Sequence, residues 1–542
     1  MKVEAHIQAI KKKVLDNFKV TESELKEWET LPYYMDSTYV TKFWDKVEKA
    51  PAVRIVGDYD VDGIMASYIM SKSIMHVFKS KPVKIRLPRR FSEGYGINPN
   101  IVNEIMEKDA KGTLIITVDN GIACPDLFEK LQNNGYPVII TDHHQLGSNR
   151  LANVEMVLDP KLPNQKDVFC GDYWCGAAVA YKLAEQYLDE GMSAHMEVFA
   201  GIATIADVMD LKEGNWGLVK RTLKAFRDEK APAQLFCLLT MLQQDPKFAN
   251  EETFSYYLCP ALNAPGRLDD AGASKVLSYL ISPTVEKAKY LIDLNETRKK
   301  LRKEQTEMVI NAIMEQGLEN SCPIWVALPN LHEGIIGIIA SDITKTFNVP
   351  AIILTEKEDG TLKGSSRTYG DVDIFNYLLH CGAEFIKMGG HTEAAGMSMI
   401  KDEFEKGRLC QIPRPVVDSH LADSIYINQQ EIPELCDELK EFEPFGKGNP
   451  KPLFSTLIDV DADNAKFVGE DSNHLILNGN SEDGPYKITH FHHIPNELKN
   501  QDRFILYGTL IDSVYNGEKV PSLDGEVVVD CDEVEHENDY EK

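Results

Sequence analysis

Residues 52–63 read AVRIVGDYDVDG. An apolar run, Ala52–Val56, stops at a glycine; aspartates follow at 58, 60 and 62, and a helical pattern runs from about Ile64 to Phe78. An apolar strand that ends in an acidic turn and continues as a helix is the repeating unit of an open parallel sheet. The unit recurs. Val83–Leu87 leads to the glycine-rich EGYGINP, Leu114–Val118 runs into Asp119, Asn120 and Gly121, Val138–Ile140 runs into TDHH, and Met156–Leu158 leads to Asp159 and Pro160. The pattern predicts an α/β, doubly wound parallel-sheet domain.

Working outward, residues 1–50 are polar, flecked with aromatics and helical in pattern, and form an N-terminal extension. The first α/β domain spans 51–283. Thr284–Gly317 is a long amphipathic helix carrying Arg298, Lys299, Lys300, Arg302 and Lys303, and segment 284–320 reads as a connector with that basic cluster on an exposed face. A second α/β domain, 321–412, has strands at Ile324–Leu328 and Ala351–Leu354 around a helix at Ile335–Phe347. Alternating stretches such as HLILN and RFILYGTLI make 413–530 a small all-β module, and 531–542 is an acidic tail.

Composition narrows the class. The 542 residues carry 58 Lys+Arg against 85 Asp+Glu, a net charge of −27, of which residues 401–542 hold −18. The 43% hydrophobic content is that of a folded chain of about three or four domains. The best apolar run, Gly334–Ala340, is far short of the ~20 residues of a membrane helix. Ten cysteines without a C-x-x-C pair argue for reduced thiols in a cytoplasmic setting, and the first residues lack an apolar leader with a cleavage site. There is no G-x-x-x-x-G-K-[ST] loop, H-E-x-x-H helix or G-x-S-x-G elbow, which sets aside an ATP-driven motor, a zinc protease and a serine hydrolase of those types.

What remains is the acidic edge. Ligands bind open parallel sheets at the carboxyl ends of the strands. Four apolar runs, taken as strands, end there in Asp58, Asp60 and Asp62; in Asp119; in Asp142, His143 and His144; and, after GIATIADVMD, in Asp207 and Asp210. Any one of these is an ordinary turn or helix-capping residue. All of them at one edge would repel one another unless cations sat between them. Carboxylates with imidazole and no thiolate favour Mn²⁺ or Mg²⁺, and two such ions sharing a carboxylate make a hydrolytic site for phosphate esters.

GDYDVDG, TVDNG, TDHH and IADVMDL, in that order, resemble the DHH phosphoesterase superfamily. LNAPGRLDDA, LHEGIIGIIASDI, GSSRT and GGHTEAAGMSM resemble its associated DHHA1 domain. With RFSEGYG and PFGKGNPKPLF, the stretch from about 50 to 455 is similar to the RecJ-type 5′→3′ exonucleases specific for single-stranded DNA. The resemblance makes 51–283 a DHH catalytic domain, 321–412 a substrate-clamping DHHA1 domain and 413–530 an OB-like module. It implies two Mn²⁺ ions, with Mg²⁺ as the alternative. Asp58, Asp60 and Asp119 would serve one ion and Asp62, Asp119, His143 and Asp207 the other, with Asp119 bridging. Asp62, Asp119 and His144 would be catalytic, and Asn120 and Asp142 would stand behind the ligands, Asp142 orienting His143.

The resemblance also implies that Arg90, Arg267, Ser365, Arg367, Gly389, Gly390 and His391 bind substrate phosphates. Guanidinium matches phosphate bidentately, and glycines admit a close backbone. GSSRT has Ser366 where the family's usual segment has a second glycine, which would crowd that approach. In the OB-like module, Phe467, Tyr486, Phe491 and Tyr507 would stack on bases, but Lys and Arg are sparse, so it would grip weakly or dock a protein. The implied product is a 5′-mononucleotide, the implied setting DNA recombination and repair, and the implied partners single-stranded DNA with a helicase or single-strand-binding protein. Nothing calls for a membrane, or for more than a monomer. Two alternatives stand beside this reading: a DHH–DHHA1 phosphodiesterase for short oligonucleotides or cyclic dinucleotides, and a catalytically silent scaffold that binds single strands.

Overall fold

The computed structural model describes residues 2–30, 34–147, 150–171, 173–415, 420–459, 465–468, 474–491, 494, 503–515 and 518–530. The acidic tail at 531–542 lies outside them. The chain divides into two compact units, one formed by 33–209 with 221–418, the other by 1–32, 210–220 and 419–542.

In the first unit the opening sheet contains β1 (Val53–Val56), β2 (Val83–Arg86), β3 (Leu114–Thr117), β4 (Val138–Thr141) and β5 (Met156–Leu158), all parallel, in the order β2-β1-β3-β4-β5. β1, β3 and β4 are buried at every position, as strands inside a parallel sheet are; all are apolar but for Thr117, Thr141 and Arg54, whose guanidinium is paired with Asp109. The order reverses between β1 and β3, and that reversal opens a crevice at the carboxyl edge. The helix after β1, Val61–Val77, is buried along most of its length and packs against helices Gly176–Glu185 and Glu190–Ala206.

Helix Val285–Glu315, 31 residues and about 46 Å long, joins this lobe to the next, capped by Thr284 through the Lys287 amide. The expected exposed basic face is only partly so. Lys299 and Lys300 pair with Glu296 and Glu304 on the surface and Arg302 reaches Asp342, but Arg298 is buried, its Nε on Asn295 Oδ1 at 3.0 Å. The second lobe has β6 (Ile324–Pro329), β7 (Ala351–Glu356), β8 (Leu362–Arg367), β9 (Lys387–His391) and β10 (Ala394–Met399), ordered β6-β7-β8-β10-β9, with β6 and β7 parallel and the rest antiparallel.

The second unit is built on a seven-stranded sheet of β11 (Ile425–Tyr426), β12 (Leu453–Asp459), β13 (Ala465–Val468), β14 (His474–Ser481), β15 (Gly484–His490), β16 (Arg503–Tyr515) and β17 (Glu518–Asp530), ordered β11-β12-β16-β17-β15-β14-β13. Helix Ile432–Leu439 packs with the sheet and contributes Leu435 and Leu439 to its core. That core also takes Ile7, Ile10, Val14, Leu25 and Trp28 from the N-terminal helices and Trp216 from segment 210–220. Helices Lys2–Phe18 and Glu22–Thr30 thus contribute to that core. Of the four aromatics expected to stack on bases, Tyr486 and Tyr507 are buried and Phe467 is partly so; Phe491 is exposed, as is Tyr426, which sequence reasoning passed over.

Candidate metal centre and phosphate cleft

Each loop at the crevice delivers its acidic group by a local device. Asp60 caps helix Val61–Val77 through the Gly63 amide at 3.1 Å, which places Asp62 in the first turn, where the helix dipole favours an anion. The amides of Gly176 and Ala177, at the uncapped start of their helix, donate to Asp62 at 2.6 and 2.7 Å. Only glycine fits at 176, because a Cβ there would stand 2.5 Å from Asp119 Cβ. Asp119 itself has φ +60°, a left-handed conformation that turns its side chain away from the run of β3. Asp207 was expected at a strand end; it follows helix Glu190–Ala206 as its C-cap, next to Val208 at φ +53°. A β-branched residue rarely adopts that conformation, and such strain gathers at functional sites. Asp210 belongs to the other compact unit.

These devices converge on His143. Its Nε2 lies 3.0 Å from Asp119 Oδ1, 3.5 Å from Asp62 Oδ2 and 3.7 Å from Asp207 Oδ2, yet makes no hydrogen bond. Asp119 Oδ1 and Asp58 Oδ2 are likewise buried without a partner. Two ligand sets emerge, Asp62–His143–Asp207 and Asp119–His143–His144. Asp58 is tied to the EGYG loop, its Oδ1 accepting from the Gly96 amide at 3.0 Å.

Burial, followed by the surrounding carboxylates, holds Asp58, Asp119 and Asp207 well above the usual carboxylate range and lifts Asp62 to about 6. Burial and the neighbouring His144 push His143 well down, leaving the neutral imidazole that a metal requires. His144 behaves oppositely. Burial lowers it, but its Nδ1 bond to Asp142 at 2.8 Å and the nearby carboxylates prevail and raise it to about 9. Asp142 therefore orients His144 rather than the His143 ring, while also accepting from the backbone amides of Ile122, His143 and His144. Asn120 joins the ends of β1 and β3 through the carbonyls of Val56 and Val118, and accepts from Ile97.

Two buried carboxylate oxygens and an imidazole nitrogen at this edge have no hydrogen-bond partner among the described residues. Buried polar groups are rarely left so. A hard divalent cation fits this donor set of carboxylates and imidazole.

The second lobe presents the phosphate-binding candidates on one face. Cross-strand register aligns Ser365 with Gly396 and Gly389, and Arg367 with Ala394 and His391, so the four polar or glycine positions at 365, 367, 389 and 391 share a face floored by small residues. Gly390 aligns with Ala395 and Ser366 on the opposite face, where a Cβ would stand 2.3 Å from the Ala394 carbonyl; its glycine serves packing. Ser366 does not crowd the approach either, since it is buried with its Oγ on the Ala395 backbone. Arg267 lies near Arg90, Arg298 and Arg367, and burial and those three charges push it down to about 9.

Sequence reasoning did not assign Tyr95, whose hydroxyl donates to the Asp119 carbonyl at 3.1 Å and lies 3.2 Å from His144 Nδ1. The EGYG stretch held the signal, a tyrosine between glycines beside an acidic site. The amides of Gly176 and Ala177 were also missed; CGAAVA, a helix start with no capping side chain, was their trace.

Two α/β lobes, one edged with carboxylates and imidazole and the other presenting an arginine on a face of small residues, define a protein of the DHH–DHHA1 class. Residues 52–207 match the DHH family N-terminal domain, 323–408 the DHHA1 domain and 426–525 the RecJ OB domain. The single-stranded-DNA-specific exonuclease RecJ of Dickeya dadantii is 30% identical over 433 residues, 74% of each chain. That of Bacillus subtilis is 30% identical over 494 residues, 88% of this chain but 61% of the relative, so the chain spans about three fifths of that protein. A crystal structure of RecJ from Thermus thermophilus in complex with Mn²⁺ superposes with a TM-score of 0.71 at 23% identity, covering 91% of this chain and 72% of the other. An exonuclease RecJ bound to manganese is 27% identical, with a TM-score of 0.58 over 72% of this chain and 99% of its own. The chain belongs to the RecJ family.

Proposed function

We propose that the chain is a divalent-metal-dependent exonuclease that hydrolyses single-stranded DNA from the 5′ end to 5′-mononucleotides, in DNA recombination and repair. The observation that carries this reading is the buried set at His143 Nε2, Asp119 Oδ1 and Asp58 Oδ2, without hydrogen-bond partners among the described residues, in a unit that also gathers Arg90, Arg267 and Arg367 near one another. Asp58, Asp60 and Asp119 would hold one Mn²⁺, and Asp62, Asp119, His143 and Asp207 a second, with Mg²⁺ as the substitute. Bound there, such a pair supplies Lewis acidity and acidifies water for attack on phosphorus.

The chain does the rest. His144, kept cationic by Asp142, offers an N–H to a phosphoryl oxygen, and Tyr95 holds that ring and the Asp119 backbone in place. Arg90, Arg267, Ser365, Arg367 and His391 hold the neighbouring phosphate, and fixing it in this way lowers the entropic part of the barrier. On this reading the protein works as a cytoplasmic monomer, on strands supplied by a helicase or a single-strand-binding protein.

The test uses a long single strand labelled at its 5′ or its 3′ end, with Mn²⁺ or with EDTA. Metal-dependent release of mononucleotide from the 5′ label, while the 3′ label stays on shortening strands, is expected. Early loss of the 3′ label overturns the polarity. Cleavage of a dinucleotide alone moves the protein to the short-substrate class, and binding without cleavage makes it a scaffold.

A further inference from the structure

The arginines of the cleft have no carboxylate partners: among the described residues Arg90, Arg267 and Arg367 form no ion pair. Arg267 donates to the Gly334 carbonyl at 3.3 Å, and Arg367 donates to Ser365 Oγ and the Ser366 carbonyl at 2.9 and 2.7 Å. Among the described residues Arg90 makes neither an ion pair nor a side-chain hydrogen bond. Its guanidinium lies instead over the ring of Tyr59, 4.7 Å from the centroid.

A carboxylate would fix that guanidinium but would occupy the fork a phosphate needs. An aromatic face fixes the cation through its quadrupole and leaves all five N–H donors for an anion. Tyr59 is also placed to measure distance. It lies between Asp58 and Asp60, so its ring starts one residue from two candidate ligands. A Cβ on Gly266 would stand 2.8 Å from the Tyr59 carbonyl, so helix Cys259–Leu268 packs its backbone on Tyr59 one residue before Arg267. Tyr95 meets the Tyr59 ring edge-on at 6.3 Å and 88°, bracing it from the side of Asp119.

We propose that Tyr59 is a positioning residue for the DNA phosphate: its ring seats Arg90, its backbone locates Arg267, and the two guanidiniums are thereby held at a set distance from the acidic edge. The inference rests on the exonuclease reading for its substrate, and adds a residue to which neither the motifs nor the ligand sets give a role.

The experiment measures kinetics on 5′-phosphorylated single-stranded DNA with Mn²⁺, and affinity for the same strand in EDTA by fluorescence anisotropy. Tyr59→Leu should raise KM and weaken binding roughly tenfold, the order a partly desolvated cation–aromatic contact supports, with kcat changed less than about threefold. Tyr59→Phe, which keeps the ring, should stay within about twofold of the parent in both. In an Arg90→Ala background the leucine substitution should cost nothing further, the signature of two residues acting as one. Mn²⁺ affinity by calorimetry should not move.

A leucine variant equal to the parent, a cost fully additive to Arg90→Ala, a phenylalanine variant as poor as leucine, or a fall in Mn²⁺ affinity would each overturn the proposal. A parent chain that binds the strand in a Tyr59-dependent way without cutting it would keep the proposal and remove the exonuclease reading. A parent that neither binds nor cuts removes both.

Discussion

Asp119 combines three burdens: burial without a partner at Oδ1, neighbouring negative charge, and a left-handed backbone. All three favour replacing it in the metal-free protein and forbid it in the working one. Asp119→Asn, which tolerates that conformation, should therefore abolish turnover while raising the melting temperature in EDTA, checked by nuclease assay beside thermal denaturation. Asp62 supplies a pH signature. Its folded value of about 6 lies above the ordinary 3.8, so the folded state holds the proton more tightly than the unfolded one. Stability from this group is full below 3.8 and is lost as pH rises through about 6. In EDTA, the melting temperature of the parent relative to Asp62→Asn should fall across that window, and saturating Mn²⁺ should remove the fall. Single residues of this kind were legible as types. Aspartate and histidine after apolar runs announced the chemistry, but which of two adjacent histidines would be neutral and which cationic depends on Asp142 lying under one ring, and no spacing conveys that.

Strand-and-turn units explain why β1, β3 and β4 were found within a residue of their ends. Short runs dominated by Val, Ile and Leu and followed within two residues by Gly or Asp leave little choice. The run before Asp207 misled because an apolar stretch buried on all sides reads alike as strand or helix. Register was equally hidden. Whether Ser366 shares a face with Arg367 follows from period-two alternation only once β8 is known to be a strand paired with β10. Ser366→Ala should therefore leave KM and kcat unchanged while lowering stability by about 1 kcal/mol through the lost Oγ bonds, measured by denaturant melts. Gly176→Ala should do the reverse. Its new methyl must displace Asp119, so Mn²⁺ affinity by titration calorimetry should drop at least about tenfold, the scale of a disturbed ligand shell, with the fold retained.

At the scale of the whole chain, one core is assembled from three distant segments, and Trp216 is buried in it with its indole N–H on the Phe442 carbonyl and its ring edge-on to Trp28. Trp216→Ala should cost about 3–5 kcal/mol, read as an earlier transition in a denaturant melt followed by tryptophan fluorescence. The sequence showed strands in the last third and amphipathic helices in the first thirty residues, but pairing across four hundred positions leaves no local trace, so the two were read as separate. The arrangement also imposes an order in time. Ile7, Ile10 and Val14 are made first, yet the residues they bury against extend to Leu523. At about 5–20 residues per second, synthesis leaves that apolar helix face waiting for roughly 25–100 s. During that interval the nascent chain carries a hydrophobic surface whose cover has still to be made.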